Sequence, residues 1–183
     1  SPTPQSRSMN AGFCKRTILL AAVIFCVLST ATSSLAVPLV NDPNGFEDIP
    51  WGTSLAEMEQ FARIEDAGRL QTYEHTQQTP ALGTIPVDSI RLTTFEKKFG
   101  RVTVRYSGNE THERVLTYLQ SAYGPLDHTP GQITVGPVKV YAWHGFHTEV
   151  TLRFETGAAR GIIFIESLTL PEKLLDGTSA TVF

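Results

Sequence analysis

Cysteine is scarce in this chain. Cys14 and Cys26 are the only two among 183 residues, and both lie near the N-terminus. Met9 is the first methionine, and residues 1–8 read as an extension ahead of it. From Met9 the pattern is that of a secretory signal peptide. Lys15 and Arg16 form a positive flank, "ILLAAVIFCVL" is an apolar stretch from Ile18 to Leu28, and "STATSSLA" ends in the small residues Ser34 and Ala36, the order a signal peptidase reads. Phe25 precedes Cys26, where lipid attachment needs a small residue, which argues against a lipoprotein. The expected cleavage after Ala36 removes both thiols. Disulfides, thiolate zinc sites and cysteine nucleophiles are then excluded from residues 37–183, and an exported, periplasmic or extracellular location is expected.

A long apolar run is missing too. A membrane-crossing helix needs about 20 apolar residues, whereas the run that begins at Ile18 gives way to Ser29 and Thr30. No stable membrane span is therefore expected once the signal is gone. Positive charge is the third shortage. Fifteen Lys and Arg face eighteen Asp and Glu, for a formal −3. Arg7, Lys15 and Arg16 leave with the signal and no acid does, so residues 37–183 carry −6. The one tight basic pair, in "EKK" at 96–98, sits in a turn. Nucleic-acid binding depends on a basic stripe to displace counterions, and none is present.

The signatures of catalysis are also absent. There is no G-x-S-x-G elbow, no P-loop and no G-x-G-x-x-G. "DPNG" at 42–45 resembles the start of a calcium loop, but Pro43 and the lack of downstream ligands spoil it. No cofactor is implied. The closest histidine pair, His144 and His147 in "WHGFH", could hold zinc or copper with Glu149 or another acid as a third ligand. A small hydrolase or metal-dependent enzyme built on that pair is the alternative to a non-catalytic reading.

What the chain does contain is structural punctuation. "VPLVNDPNGFEDIP" reads as an extended lead-in segment. Ser54 and Glu57 form an S-x-x-E capping box, followed at helical spacing by Leu55, Met58, Phe61 and Ala62, which predicts a short amphipathic helix. Trp51, just ahead of the cap, is placed to clamp the helix start, and Gly52 lets the backbone turn there. From Ala81 the period changes to two: Val87, Ile90 and Leu92, then Phe99, Val102, Val104 and Tyr106, predict a hairpin. Asn109, formally a glycosylation sequon in "NET", reads instead as the cap of a second helix. That helix carries a stripe of Val115, Leu116, Leu119 and Ala122 and stops at Gly124-Pro125. "DHTPGQITVGP" reads as a loop. A meander of "VKVYAW", "TEVTLRFE" and "GIIFIES" follows, with the last strand central, and the tail from Thr169 is irregular.

The expectation is therefore one α+β domain over residues 37–183, an antiparallel sheet with two helices on one face, arranged as two helix-plus-hairpin halves. Its core would include Trp51, Phe61, Leu119, Val150, Leu152 and Phe164. The opening Phe46, Ile49, Pro50, Trp51, Gly52, the helix end Tyr123, Gly124, Pro125, and Trp143 in the meander together resemble a group of uncharacterised exported bacterial proteins. The likeness covers most of residues 45–167 and implies no catalytic residues. The order of elements is similar to that of the β-lactamase-inhibitor-protein-like fold, which implies architecture and not function. Read this way, the protein is a binding or envelope-associated module with a protein or glycan partner in the cell envelope. Tyr141, Trp143 and Phe146 on the meander are its candidate contact surface.

Overall fold

The first predicted helix does not form. In the computed structural model, which describes residues 36–126 and 131–170, only a single 3-10 turn, Leu55–Glu57, follows Ser54, and the Ser54 side chain makes no capping hydrogen bond. The chain is extended again by Phe61. The strands in chain order are β1 (Val37–Pro38), β2 (Gly45–Phe46), β3 (Ile49–Pro50), β4 (Phe61–Ala67), β5 (Leu70–His75), β6 (Ala81–Leu82), β7 (Ile85–Pro86), β8 (Ser89–Phe95) and β9 (Lys98–Ser107). Helix α1 (Asn109–Tyr123) follows, then β10 (Gln132–Val135), β11 (Val138–His144), β12 (Thr148–Glu155) and β13 (Arg160–Ser167). The predicted signal peptide and the tail beyond Leu170 lie outside the described residues.

Nine strands form one sheet in the order β1-β11-β12-β13-β9-β8-β5-β4, with β10 also on β11. All neighbours are antiparallel except β1, which runs parallel to β11 through Val37↔Trp143, so the sheet is mixed. Strands make up 51% of the described residues and helix 14%. This corrects the expected α+β class and its two helix-plus-hairpin halves: the protein is mostly β, with one helix on one face of a large sheet.

The physical reason is a competing hairpin. Ala67 pairs with Leu70 across a two-residue turn of Gly68 and Arg69, and Gly68 takes the positive φ of 74° that such a turn requires. Once that turn closes, "FARIEDA" pairs with "LQTYEH" on both sides of an irregularity at Ile64, and the sheet supplies the hydrogen bonds a helix would have made internally. The helical spacing of Leu55, Met58 and Phe61 is met only for one turn. The second hairpin closes next to it: Glu96 and Lys97, both at positive φ, join β8 to β9. Arg69 bonds Glu96 at 2.5 Å and lies 4.7 Å over the Phe95 ring, tying the two turns together.

Two smaller readings also change. Asn109 is the first helical residue and not the cap; Gly108 holds that place at φ 100° with no side-chain bond. The segment read as a loop contains β10, whose "QITV" pairs with β11 from Gln132↔Tyr141 to Val135↔Val138. Helix α1 itself stands as predicted, with Val115 and Leu119 fully buried and Gly124 ending it at φ 123°. The meander is as read, and β13 lies between β12 and β9, central in the sheet.

Strand alternation sorts the side chains onto two faces. Toward α1 point Leu92, Val102, Val104, Tyr106, Tyr141, Trp143, Val150, Leu152, Phe154, Ile163 and Ile165, all buried. Trp51, Leu55 of the 3-10 turn, and Leu82 and Ile85 of the β6–β7 hairpin complete that core, with Phe61 partly buried at its margin. Phe164 is buried on the opposite face, where the Arg101 guanidinium sits 5.6 Å from its ring.

Candidate binding cleft

A cleft of about 520 Å3 opens at the β4 end of the sheet, and two short hairpins wall it. In the first, Phe46 pairs with Ile49, and Glu47 in the turn between them is held at φ 51°. Gly45 is required there, because a Cβ would meet the Ile49 carbonyl oxygen at 2.2 Å. In the second, Leu82 pairs with Ile85 around Gly83, whose missing Cβ makes room for the Tyr118 ring of α1. The floor comes from Phe61, Ile90 and Leu92, and the rim carries Glu47, Glu74, His75, Asp88, Ser89 and Arg91.

Four of the rim side chains, Glu74, His75, Asp88 and Arg91, are engaged within the chain. His75 Nδ1 accepts the backbone N–H groups of Gln77 and Gln78, each at 3.2 Å, which leaves Nε2 to carry the proton of the neutral ring. Its ring meets Phe61 edge-on at 5.5 Å. Glu74 accepts from Arg91 Nε at 2.9 Å, and Asp88 accepts the Ser107 hydroxyl at 2.7 Å. Among the described residues no hydroxyl hydrogen-bonds to a nitrogen of His75. Three carboxylates against one arginine make the rim acidic above an apolar floor.

The residues singled out from the sequence are elsewhere, and they do not converge. Tyr141 and Trp143 are buried on the core side of β11, since positions i and i+2 share a face. Trp143 donates its indole N–H to the Gly124 carbonyl at 2.9 Å, so it anchors the end of α1. Phe146, in the turn after β11, is 91% exposed. The three therefore form no common surface. His144 and His147 are both exposed; His144 Nδ1 lies 3.6 Å from its cross-strand neighbour Glu149, and the His147 backbone N–H donates to Asp42. No group of three His, Cys, Asp or Glu side chains suited to a metal ion occurs among the described residues.

The cleft was missed because Phe61–Ala67 and Leu70–His75 were not recognised as strands. The signal that could have found it is the D-A-G-R turn between "FARIE" and "LQTYEH", followed by the Pro80, Gly83 and Pro86 punctuation that shapes the wall.

No family model, curated protein or solved structure matches the chain. Among the described residues, no helix is long and apolar enough to cross a membrane.

Proposed function

We propose that this is an exported, non-catalytic binding module of the cell envelope, and that its cleft takes an amphipathic segment of a protein partner. The observation that carries the reading is the pairing of an apolar floor (Phe61, Ile90, Leu92) with an acidic rim (Glu47, Glu74, Asp88) in one concavity of about 520 Å3. Ligand sites are commonly of this size and make-up. An apolar side chain fits the floor, and a neighbouring Lys or Arg meets the rim carboxylates. The secretory pattern of residues 9–36 supports the location. The commitment of His75, Glu74 and Asp88 to internal partners supports binding over catalysis.

Amide NMR spectra of residues 37–183, titrated with short Leu/Phe peptides bearing Lys or Arg, with Glu-bearing counterparts and with envelope oligosaccharides, test the proposal. Saturable shifts at His75, Ser89 and Ile90 with the basic peptides alone, reduced by Glu47→Lys, are the expected result. Shifts with oligosaccharides alone would assign the cleft to a glycan, and no shift there with any probe would refute it as a binding site.

A further inference from the structure

The sheet face opposite α1 carries a second arrangement, which shares only Ser89 and Arg91 with the cleft rim. β8 reads Ser89-x-Arg91-x-Thr93 and β9 reads Arg101-x-Thr103-x-Arg105. Their antiparallel register sets Arg91 against Thr103, Thr93 against Arg101 and Ser89 against Arg105. Each arginine thus faces a hydroxyl residue, and cations and hydroxyls alternate in two directions like a checkerboard. Thr72 extends the pattern on β5, opposite Thr93. Arg91, Arg101, Arg105, Thr72, Thr93 and Thr103 line a single pocket of about 190 Å3.

The charges there are unevenly balanced. Arg101 is engaged by buried Glu166, and Arg91 uses its Nε on Glu74. The Arg105 guanidinium makes no hydrogen bond or ion pair with any described residue. Burial and the neighbouring Arg91 both push its pKa down, as expected of two cations held side by side. Glu65, the one acid among the residues that line the pocket, is exposed.

We propose that this checkerboard binds a small tetrahedral oxyanion of the phosphate class, either free or as the terminal group of a larger molecule. Guanidinium forks match the oxygen spacing of phosphate, hydroxyls donate alongside them, and an anion relieves the Arg91–Arg105 repulsion. The pocket is smaller than the roughly 300–1,000 Å3 of sites for drug-sized ligands, which selects a single small group.

Calorimetric titration with sodium phosphate at low ionic strength, against sodium chloride of matched ionic strength, tests this. Saturable binding of phosphate but not chloride is expected. Arg105→Gln should weaken it by about tenfold or more, as loss of a charged hydrogen bond does. Arg63→Gln, which alters an exposed arginine on β4 outside the pocket, should leave it unchanged. If Arg105→Gln fails to fold by circular dichroism, Thr103→Val serves instead, with about a threefold loss expected for one neutral donor. Flotation with phosphatidic acid vesicles against phosphatidylcholine vesicles separates the sources. Arg105-dependent retention on the former assigns a lipid headgroup, and phosphate binding without retention assigns a free anion. Absence of both, or binding unaffected by the pocket substitutions, overturns the proposal.

Discussion

Trp51 donates its indole N–H to the hydroxyl of Thr148, 2.9 Å away and 97 residues along the chain. The same hydroxyl donates to the Pro43 carbonyl. Asp42 then accepts the backbone N–H groups of Phe146 and His147 on Oδ2, at 2.6 and 2.9 Å, and that of Thr148 on Oδ1 at 3.1 Å. Residues 42–51 are thereby stitched to the turn between β11 and β12. The Trp51 ring packs 4.8 Å from Phe99, so the Ile-Pro-Trp-Gly stretch is a fastening. It holds the lead-in segment to the sheet and does not clamp a helix.

Thr148→Val keeps the shape and removes the hydroxyl. It leaves the buried Trp51 N–H without an acceptor and the Pro43 carbonyl without a donor. The expected cost is about 1–3 kcal/mol, measured by urea denaturation of residues 37–183. Unchanged stability would mean that the Trp51 indole finds another partner.

Gly161 is the second fastening, and here the reason is space. A Cβ at this position would lie 2.0 Å from Tyr106 Cζ. Tyr106 has no room to yield, since it is buried, its hydroxyl lies 2.7 Å from His112 Nδ1 and its ring runs parallel to Phe154. Gly161→Ala should therefore cost about 1–3 kcal/mol as overpacking. The same substitution at Gly157, where an added Cβ meets nothing, should be close to neutral in the same denaturation assay.

How much of this was legible depends on where each segment lies in the sheet. "TEVTLRFE" shows a clean alternation because β12 has a covered side and a polar side, and its burial pattern follows the sequence residue by residue. Helix α1 was legible because Val115 and Leu119 repeat at helical spacing and Gly124-Pro125 stops them. "FARIEDA" carries no such record. As β4 it is the sheet edge, exposed from Ala62 to Ala67, so burial imposes no period, and Ala, Arg and Glu favour a helix when nothing else decides. Its strand identity comes from pairing with β5, which is tertiary information. The cleft was hidden for the same reason. Tyr141 and Trp143 misled in the opposite way: aromatics beside a turn look like a contact surface, but the pleat turned both inward.

Leu119 tests the one helix. It is fully buried at the centre of the stripe that seats α1 on the sheet. Leu119→Ala should cost about 2–5 kcal/mol, the range for a cavity in a packed core. A near-neutral result by thermal or urea denaturation would show that the helix does not pack through this face.

His112 gives the core a pH dependence. It lies at the first turn of α1, 3% exposed, with its ring 3.7 Å from Phe154 and 5.9 Å from Tyr141. Burial pushes its pKa below 6.5; Lys139 pushes the same way and Glu113 opposes. A base whose folded pKa is depressed binds its proton more readily when unfolded. Its contribution to stability is therefore complete above pH 6.5 and is lost as pH falls below that value, by at most about 1.4 kcal/mol per pH unit. Glu166 runs the other way. Its carboxyl is pushed above 4.5 chiefly by burial, against the pull of Arg101, so its contribution is present at low pH and is lost as pH rises through the raised value. The two are separated by comparing wild type with His112→Phe, in which Glu166 is common to both. The stability difference between them, measured by urea denaturation from about pH 5 to about pH 8, should shift in favour of wild type as pH rises toward 6.5 and level off above it. A difference that stays flat across that range would show that His112 titrates alike in the folded and unfolded chains.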